Sequence, residues 1–444
     1  MRQKKKRFSP VQVITLSFAA VVFVGALALM LPIASRDGES VPFINALFTS
    51  TSASCVTGLV VYDTLTQWSP FGQVVIIALI QIGGIGIITL AMYFLSMLHA
   101  KIGMRSVFAL QESIGAESSA GLVKMTRFIA AGVFLQEAVG AILLLPVFIP
   151  QFGVGRGIWY AVFHSISAFC NAGFDLMGGG TSLTAYSDNL YFNLVICLLI
   201  TCGGLGFFVW LDLLRCRFCF GKFALHTKIV VITSLALTVL GAALFLVLFW
   251  SSDAAAGRGV GEKMLVSLFQ SVTARTAGFA TVDLAGIGGG AQMLMIALML
   301  IGGSSGSTAG GIKTTTFAVI LLFVRSIFRG KEDIECFGRR IEKGIVRTAI
   351  AVFVLYLGLA LCCGIALSAI EGADIIACLF ETFSAMATVG ASLSLTPTLS
   401  AVSKIIVIIL MFLGRVGGLT VLLSLSNKHR EEAYRYPAEN VTVG

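Results

Sequence analysis

Charged residues are scarce in this sequence. Only 12% of its 444 residues are Asp, Glu, Lys or Arg, whereas about 25% is usual in a soluble domain, and 57% are hydrophobic. So few charges cannot cover a surface that faces water, which excludes a water-soluble fold. Each charge is therefore worth locating: Lys and Arg total 31, Asp and Glu total 22, and the formal net charge is +9.

Histidine and proline are scarce as well. The four histidines, His99, His164, His226 and His429, are far apart and form no cluster that would suggest a metal or catalytic site. Only 8 prolines accompany 48 glycines, so the composition matches neither collagen nor a disordered chain. Glycine at about 11% of the chain suits closely packed helices and re-entrant backbone inside a membrane.

Two short motifs that would indicate other chemistry are incomplete. Cys216 and Cys219 form a C-x-x-C pair with no second pair at the spacing of a metal site. The glycine-rich stretch from Gly302 to Gly311 lacks the Gly-Lys-Ser/Thr ending of a phosphate-binding loop. We therefore expect no enzyme, no cofactor held by this chain, and no nucleotide-binding or nucleic-acid-binding domain.

Long apolar runs dominate the chain and alternate with shorter ones. Eight runs are long enough to cross about 30 Å of hydrocarbon as helices. They lie at residues 11–34, 69–98, 127–149, 189–214, 228–250, 290–328, 346–369 and 401–426. Within each successive pair lies a shorter amphipathic stretch, at residues 42–54, 158–169, 263–274 and 373–386, as is typical of re-entrant half-helices. The sequence thus predicts an all-α integral membrane protein that repeats a unit of helix, half-helix and helix.

Each half-helix ends in a similar glycine-terminated string. The four strings are FTSTSASCVTG (48–58), FHSISAFCNAG (163–173), FQSVTARTAG (269–278) and FETFSAMATVG (380–390). Their terminal glycines are 115, 105 and 112 residues apart, which indicates four copies of one module. We place pore module 1 at residues 1–100, module 2 at 101–222, module 3 at 223–335 and module 4 at 336–427, followed by a cytoplasmic tail at 428–444.

The distribution of basic residues predicts the orientation. With the termini inside and the half-helices entering from outside, the inner segments carry 23 of the 31 Lys and Arg residues and the outer segments carry 5. Such an excess is typical of cytoplasmic loops. The first apolar run follows a basic N-terminus and lacks a signal-peptide cleavage site, so we expect it to be retained as a helix. Three cations, Arg275, Lys313 and Arg415, fall at membrane depth.

The four strings are what a cation pore of fourfold pseudosymmetry requires. A dehydrated cation needs rings of backbone carbonyls, and glycine most easily adopts the backbone that exposes them. The candidate ion-binding residues are Cys55, Val56, Thr57, Gly58, Cys170, Asn171, Ala172, Gly173, Arg275, Thr276, Ala277, Gly278, Ala387, Thr388, Val389 and Gly390. The alternative is that the glycines cap helices in a packed bundle, although four copies at matched positions favour the pore.

A second glycine-rich stretch, residues 302–316, interrupts the apolar run at 290–328. Irregular backbone at membrane depth is tolerated where it is buried in protein or lines a cavity. We interpret the stretch as an intramembrane gating loop below the filter, where Lys313 opposes cation passage, and the alternative is a static kinked helix. Arg415 is either a barrier in the ion path or an anchor to half-helix carbonyls or Glu381. The candidate gate residues are Gly302, Gly303, Ser304, Ser305, Gly306, Ser307, Thr308, Gly310, Gly311, Lys313 and Arg415.

The acidic residues near the strings leave two interpretations open. Asp63, Asp175 and Asp283 follow the first three terminal glycines by five, two and five residues. They either give the outer mouth a negative field that concentrates cations or serve as ordinary loop acids and caps. Glu137 lies on an apolar helix, where we favour pairing with another module over a place in an ion pathway.

The strings, their spacing and the layout of eight helices and four loops resemble the Trk/Ktr/HKT superfamily of potassium transporters over essentially the whole chain. Residues 302–316 (GGSSGSTAGGIKTTT) and 412–420 (FLGRVGGLT) are similar to signatures of the bacterial Ktr membrane subunit, KtrB. The resemblance implies one chain folded as four pseudo-repeats around a central pore, and a homodimer with two separate pores.

The resemblance also implies K⁺ uptake across the bacterial plasma membrane, gated by a cytosolic KtrA-type ring that binds ATP/ADP and NAD(H). In this superfamily, glycine at the position of Gly58 is linked to potassium preference and serine to sodium uptake. Cys55 and Cys170 depart from the threonine and asparagine expected there, which matters if their side chains line the entrance. Coupling to Na⁺ stays open. The alternatives are a sodium-selective or non-selective relative and, from another class, a membrane enzyme or a secondary transporter with a midplane site.

Overall fold

The computed structural model describes residues 10–86, 89, 90, 93 and 122–417. Several sequence-based expectations lie outside the described residues: the basic N-terminal run, most of the inner segment 99–127, His99, His429 and the tail at 428–444. The described chain is mostly helical, and the helices follow the predicted order of helix, half-helix and helix.

The helices are numbered in chain order. They are α1 (Pro10–Met30), α2 (Phe43–Ser54), α3 (Thr64–Gln67), α4 (Pro70–Ile85), α5 (Leu122–Cys170), α6 (Leu190–Leu205), α7 (Phe207–Arg215), α8 (Leu225–Phe249), α9 (Val260–Thr273), α10 (Gly289–Leu300), α11 (Thr314–Phe328), α12 (Lys343–Glu371), α13 (Ile375–Met386) and α14 (Ala401–Val416). The half-helices are α2, the last part of α5, α9 and α13. In α5, Gly153 has φ 76° and breaks the helix between its long first part and the half-helix.

Among the described residues, four helices are long and apolar enough to cross a membrane. They lie in α1, α5, α8 and α12, which are the first helices of the four predicted modules. Large apolar side chains on α1, α8 and α12 are exposed, as expected where a helix faces lipid rather than water. Examples are Val24, Leu240, Val247 and Ile365, each more than half exposed.

The second helix is broken in the first three modules, which corrects the expectation of continuous spans at 69–98, 189–214 and 290–328. Residues 418–426 of the fourth expected span, 401–426, lie outside the described residues. Helices α4, α6 and α14 end at Gly86, Gly206 and Gly417, whose φ values are 89°, 93° and 94°. A residue at positive φ cannot continue a right-handed helix, so the chain turns there. At Gly206 the turn is 94°, and α6 and α7 together make a fifth, bent apolar span. In the third module, α10 and α11 are separated by the non-helical residues 301–313.

The second helices begin at matched capping residues. Ser69, Asn189 and Ser400 precede α4, α6 and α14, and each side chain accepts a hydrogen bond from the backbone N–H three residues later. These bonds satisfy donors that the first turn of a helix leaves unpaired. Capping thereby sets where each second helix starts.

A short β-hairpin, which the sequence analysis did not predict, follows α11. Strand β1 (Ile334–Cys336) pairs antiparallel with β2 (Arg339–Ile341), with Ile334 opposite Ile341. Phe337 and Gly338 both have positive φ, 50° and 71°, as a two-residue hairpin turn requires. Strands of three residues are too short to show an alternating pattern, which is why sequence periodicity missed them.

Candidate functional site

Each half-helix is seated on the first helix of its own module by an equivalent hydrogen bond. A hydroxyl on the half-helix donates to a backbone carbonyl of the first helix over 2.6–3.1 Å. The pairs are Ser50–Val22, Ser165–Glu137, Ser271–Thr238 and Thr382–Ala360. Since the four bonds are equivalent, the half-helices present their terminal strings at matched positions.

Three of the four half-helices, α2, α5 and α13, end in caps that do not use the terminal glycines. After α2, the N–H of Val56 donates to the Ala53 carbonyl at 3.1 Å and the N–H of Thr57 donates to the Ser52 carbonyl at 2.8 Å. Val56 has φ 57°, so it is the left-handed residue of a Schellman motif. The same pair of bonds closes α5 and α13. Gly58 lies two residues beyond Val56 and makes neither of these bonds, so helix capping does not explain why position 58 is glycine.

Positive φ recurs at two positions of every string. The terminal glycines, Gly58, Gly173, Gly278 and Gly390, have φ between 69° and 101°. Two residues earlier, Val56, Asn171, Thr276 and Thr388 have φ between 52° and 85°. Three of these four are β-branched, for which this conformation is strained. Strain that is repeated in four copies indicates a functional constraint on the backbone.

The four terminal glycines form a closed ring. A Cβ added at Gly58 would lie 2.5 Å from the Ala172 carbonyl oxygen and 3.3 Å from the Cα of both Gly173 and Gly390. A Cβ at Gly173 would meet the Ala277 carbonyl, one at Gly278 the Val389 carbonyl, and one at Gly390 the Thr57 carbonyl. Each glycine thus lies against the carbonyl of the next string around the ring. Only glycine fits at these four positions without moving the neighbouring backbone.

Hydroxyl groups on the half-helices hold this ring in place. Ser52 and Ser384 accept hydrogen bonds from the N–H groups of Gly58 and Gly390 at 3.1 and 3.0 Å. Ser167 and Thr273 donate instead to the carbonyls of Phe174 and Phe279, the residues after Gly173 and Gly278. Buried polar groups that are fully paired resist displacement, so these bonds keep the glycine backbone in one conformation.

The first candidate residues of the second and third strings bond to side chains on the first helices of their own modules. Cys55 and Cys170 are fully buried, and the Sγ of Cys170 lies 3.6 Å from the Oε1 of Glu137. The Nη2 of Arg275 donates to the Thr238 hydroxyl on α8 at 2.6 Å. Neither thiol lines the outer cavity described below. The side chains of Cys55, Cys170 and Arg275 are thus absent from the lining of that cavity.

A cavity of about 500 Å³ lies directly outside the glycine ring. All four terminal glycines line it, together with Asp63, Asp175 and Asp283. Asp63 also accepts hydrogen bonds from the N–H groups of Leu65 and Thr66 and thereby caps α3. Asp175 accepts from the Met177 N–H, and Asp283 from the Ala285 N–H. The three carboxylates therefore both shape the post-glycine loops and place negative charge at the outer mouth.

Asp175 is a carboxyl of this cavity whose pKa is raised. Burial, with a further contribution from the nearby charge of Asp63, raises its pKa to about 6, although bonds from Met177 and Ser182 oppose the shift. A carboxyl with this pKa is charged above pH 6 and neutral below it. We expect cation uptake at low external concentration to fall as the pH drops from about 7 to about 5, and Asp175→Asn to abolish that step. Uptake by the exposed-loop control Asp188→Asn should keep the wild-type profile; identical profiles for wild type and Asp175→Asn would contradict the assignment.

Residues 301–313, here called the intramembrane loop, pack directly under the ring. Gly302 donates to the Ile312 carbonyl at 2.8 Å, which brings the two ends of the loop together. The Thr308 hydroxyl donates to the Phe169 carbonyl at the end of α5. A Cβ at Gly310 would meet the Thr388 side chain, and one at Gly311 would lie 3.2 Å from the Ala387 carbonyl. The loop thus contacts the second and fourth strings.

Arg415, near the end of α14, connects this loop to the end of α4. Its guanidinium donates to the carbonyls of Thr308 in the loop and of Gly83 and Gly84 at the end of α4. The expected anchors were half-helix carbonyls or Glu381, and both are wrong: Glu381 accepts instead from the Thr396 hydroxyl. Bidentate donation suits the planar guanidinium, which bridges elements far apart in sequence.

Lys313 and Arg415 share an inner cavity of about 310 Å³. Ser305, Gly306, Ser307 and Gly311 also line it, and the Lys313 Nζ donates to the Ala309 carbonyl at 2.7 Å. Within the described parts of the chain, no carboxylate lies at ion-pair distance from either cation. Two basic side chains therefore line the cavity beside the intramembrane loop.

Glu137 pairs with module 1, as favoured from the sequence. Both of its carboxyl oxygens accept from the Nε2 of Gln81, at 3.0 and 2.9 Å. Glu137 is only 5% exposed, and α5 and α4 are packed together at this pair. The contact joins two modules and leaves Glu137 outside both cavities.

A second repeated motif, absent from the sequence-based predictions, lies at the ends of the second helices. It reads GGIG (83–86), GGLG (203–206) and GRVG (414–417), with GGSSG (302–306) in the third module. Gly83, Gly203 and Gly414 pack against the last half-helix carbonyls, those of Ser54, Phe169 and Met386. Arg415 therefore occupies a position that is glycine in the other modules. The signal for this motif in the sequence is the glycine pair that recurs when the second helices are aligned with one another.

Comparison with known proteins agrees with this geometry. The TrkH family model, described as a cation transport protein, matches residues 3–435. The chain belongs to the TrkH family. It is 40% identical to the potassium/sodium uptake protein NtpJ of Enterococcus hirae, covering all of this chain and 99% of that protein. It is 39% identical to the Ktr system potassium uptake protein B of Bacillus subtilis, covering 99% and 97% of the two chains.

The fold is also that of a solved structure of the family. The crystal structure of the potassium transporter TrkH from Vibrio parahaemolyticus superposes with a TM-score of 0.75 at 19% identity, covering 96% of this chain and 87% of that one. The resemblance to the Trk/Ktr/HKT superfamily is thereby confirmed. The TrkH-family chain is a multi-pass membrane transporter and not an enzyme, which removes the membrane-enzyme alternative.

Proposed function

We propose that this TrkH-family chain is the ion-translocating subunit of a Ktr-type potassium uptake system. The observation that carries the proposal is the closed ring of Gly58, Gly173, Gly278 and Gly390, in which each glycine lies against a carbonyl of the next string. The strings would expose carbonyls to a dehydrated K⁺, and the acidic outer cavity would supply it. The names of the relatives from E. hirae and B. subtilis, both potassium uptake proteins, support the same substrate.

Further oxygens near the ring support ion binding at these strings. The hydroxyls of Thr57 and Thr388 are buried and have no hydrogen-bond partner among the described residues. A buried oxygen without a donor costs free energy unless something else binds it. The half-helices also direct their C-terminal ends, which carry partial negative charge, towards the strings. Both features favour a cation over an anion.

The intramembrane loop is the gate in this proposal. It fills the space under the ring, and with Arg415 it places positive charge where a K⁺ ion must leave. Opening would require the loop to leave the carbonyls of Phe169 and Gly204, to which Thr308 and Ser304 are bonded. Movement of a discrete element between two packed positions is how gates of this kind operate.

Partner and assembly follow from the family resemblance. We infer a cytosolic KtrA-type ring that binds ATP/ADP and NAD(H), contacts the basic inner segments and controls the loop. The chain itself would form a homodimer with one pore in each subunit and cytoplasmic termini. The names of relatives that are Ktr system subunits support the regulatory partner.

A second candidate is a transporter that also carries Na⁺. The relative from E. hirae is named a potassium/sodium uptake protein and matches this chain over its whole length. Within the ring, glycine at all four positions favours K⁺. Coupling of K⁺ uptake to Na⁺ belongs to the same proposal.

Ion flux in liposomes tests the substrate directly. We expect the purified chain to carry K⁺ at least about tenfold faster than Na⁺, a difference of about 1.4 kcal/mol in barrier height. Flux would be followed with a K⁺- or Na⁺-sensitive dye at matched gradients, with protein-free liposomes as the control. Equal rates for the two ions would support the second candidate, and flux of neither ion through the wild type or the Arg415→Gln variant would contradict both.

A further inference from the structure

Arg275 lies in a part of the membrane domain that holds no charge to balance it. The side chain is only 9% exposed, and its one side-chain partner is the neutral hydroxyl of Thr238. No carboxylate lies at ion-pair distance from it in the described ranges. A buried guanidinium without a counter-charge is costly, and such groups are normally paired. The structure therefore lacks an expected negative partner at this point.

A small cavity lies beside Arg275. Its volume is about 20 Å³, and Arg275, Ser234 and Thr201 line it together with apolar residues such as Val272 and Ile200. The Nε of Arg275 is buried and has no hydrogen-bond partner among the described residues. A single water requires about 10–15 Å³ of such space, so the cavity has room for one monatomic ion or at most two waters.

The donors around the cavity match an anion rather than a cation. Arg275 offers its free Nε–H, and the Ser234 hydroxyl is a second side-chain donor in the lining of the cavity. Thr201 already donates to the Cys197 carbonyl at 2.7 Å. The cavity thus has a positive charge, one unused N–H donor, a serine hydroxyl and several apolar side chains in its lining. This combination suits a halide ion and disfavours K⁺ or Na⁺.

We propose that this cavity binds one chloride ion, held by Arg275 and Ser234. The site lies between modules 2 and 3, because Gly204 belongs to the second module's glycine pair and Arg275 precedes Thr276 of the third string. Gly303 of the intramembrane loop lines it as well. The anion neutralises Arg275 immediately behind the glycine ring and packs against the loop. This inference rests on charge and geometry alone, and it holds whether or not the chain carries potassium.

Thermal unfolding of the purified full chain tests the site without any transport assay. In chloride, compared with gluconate at the same ionic strength, we expect the unfolding midpoint of the wild type to rise by at least about 2 °C. Arg275→Gln removes the charge and should lose this difference. The matched control Arg156→Gln, at an exposed arginine, should retain the wild-type response. A wild-type midpoint that is the same in both salts would overturn the proposal.

A second variant and a direct observation keep the test decisive if Arg275→Gln does not fold. Ser234→Ala removes one donor and no charge, and it should raise the chloride concentration needed for half the stabilisation by up to about tenfold. Crystals grown in bromide should show anomalous scattering beside the Nε of Arg275. Density that fits water alone, with no anomalous signal in bromide, would also overturn the proposal.

Discussion

The Gly58→Ser variant is expected to lose most of its preference for K⁺ over Na⁺. Gly58 has φ 101°, and the added Cβ would lie 2.5 Å from the Ala172 carbonyl oxygen, closer than real Cβ atoms come to backbone. Ala172 belongs to the neighbouring string, so the ring must shift by several tenths of an ångström. Because coordination of a dehydrated ion depends on carbonyl positions, we expect the K⁺/Na⁺ flux ratio in liposomes to fall by about tenfold or more.

A matched substitution separates this clash from the general cost of serine at positive φ. Gly38 lies in an outer loop with φ 71°, and a Cβ there would meet nothing within 4 Å. Gly38→Ser therefore carries a similar backbone strain without touching the ring, and its flux ratio should equal that of the wild type. A Gly58→Ser protein that is folded and keeps the wild-type ratio would show that the ring does not select the ion.

The Arg415→Gln variant is expected to conduct K⁺ without its regulatory partner. A unit charge about 5 Å from a passing ion, at an effective dielectric of about 20, opposes it by about 3 kcal/mol, or about a hundredfold in rate. The substitution also removes the guanidinium that holds the Thr308 carbonyl of the loop to the end of α4. We expect basal K⁺ flux in liposomes to rise by about ten- to a hundredfold.

The Arg415→Lys variant distinguishes the two contributions. Lysine keeps the positive charge but cannot reproduce the guanidinium fork that reaches Thr308 and Gly83 together. If its flux stays at the wild-type level, the charge forms the barrier; if its flux rises like that of Arg415→Gln, the anchoring of the loop matters more. A normal amount of monodisperse Arg415→Gln protein with unchanged flux would refute any gating role for this residue.

The modules and their terminal glycines could be predicted because their signals are local. Hydropathy over about twenty residues reveals an apolar helix, and a string repeated at a spacing near 110 residues reveals a module without any knowledge of contacts. The non-helical backbone at 301–313 follows for the same reason, since five of the residues from Gly302 to Gly311 are glycine. The helix ends at Gly86, Gly206 and Gly417 have an equally local signal, which is the repeated glycine motif.

Directions of side chains within the strings could not be predicted in this way. Cys55, Cys170 and Arg275 are adjacent to ring-forming residues in the sequence, yet their side chains are buried behind the strings. The direction of each side chain depends on which of the four residues adopt a left-handed backbone conformation. That choice depends in turn on packing against the neighbouring strings. Asp63 and Asp283 each cap a helical turn and also line the cavity next to the ring, and only the fold shows that one side chain does both.

The sequence by itself determined a membrane protein of four helix, half-helix and helix modules with glycine at four matched positions. Only the tertiary structure decided which buried polar groups pair with one another. Arg415 bonds a carbonyl 332 residues away, and Asn171 contacts Thr276 across two modules. Whether a segment is apolar depends on its own composition and can be read from the sequence. A buried donor, in contrast, pairs with whichever acceptor the fold places beside it, and that acceptor is often far away in the sequence.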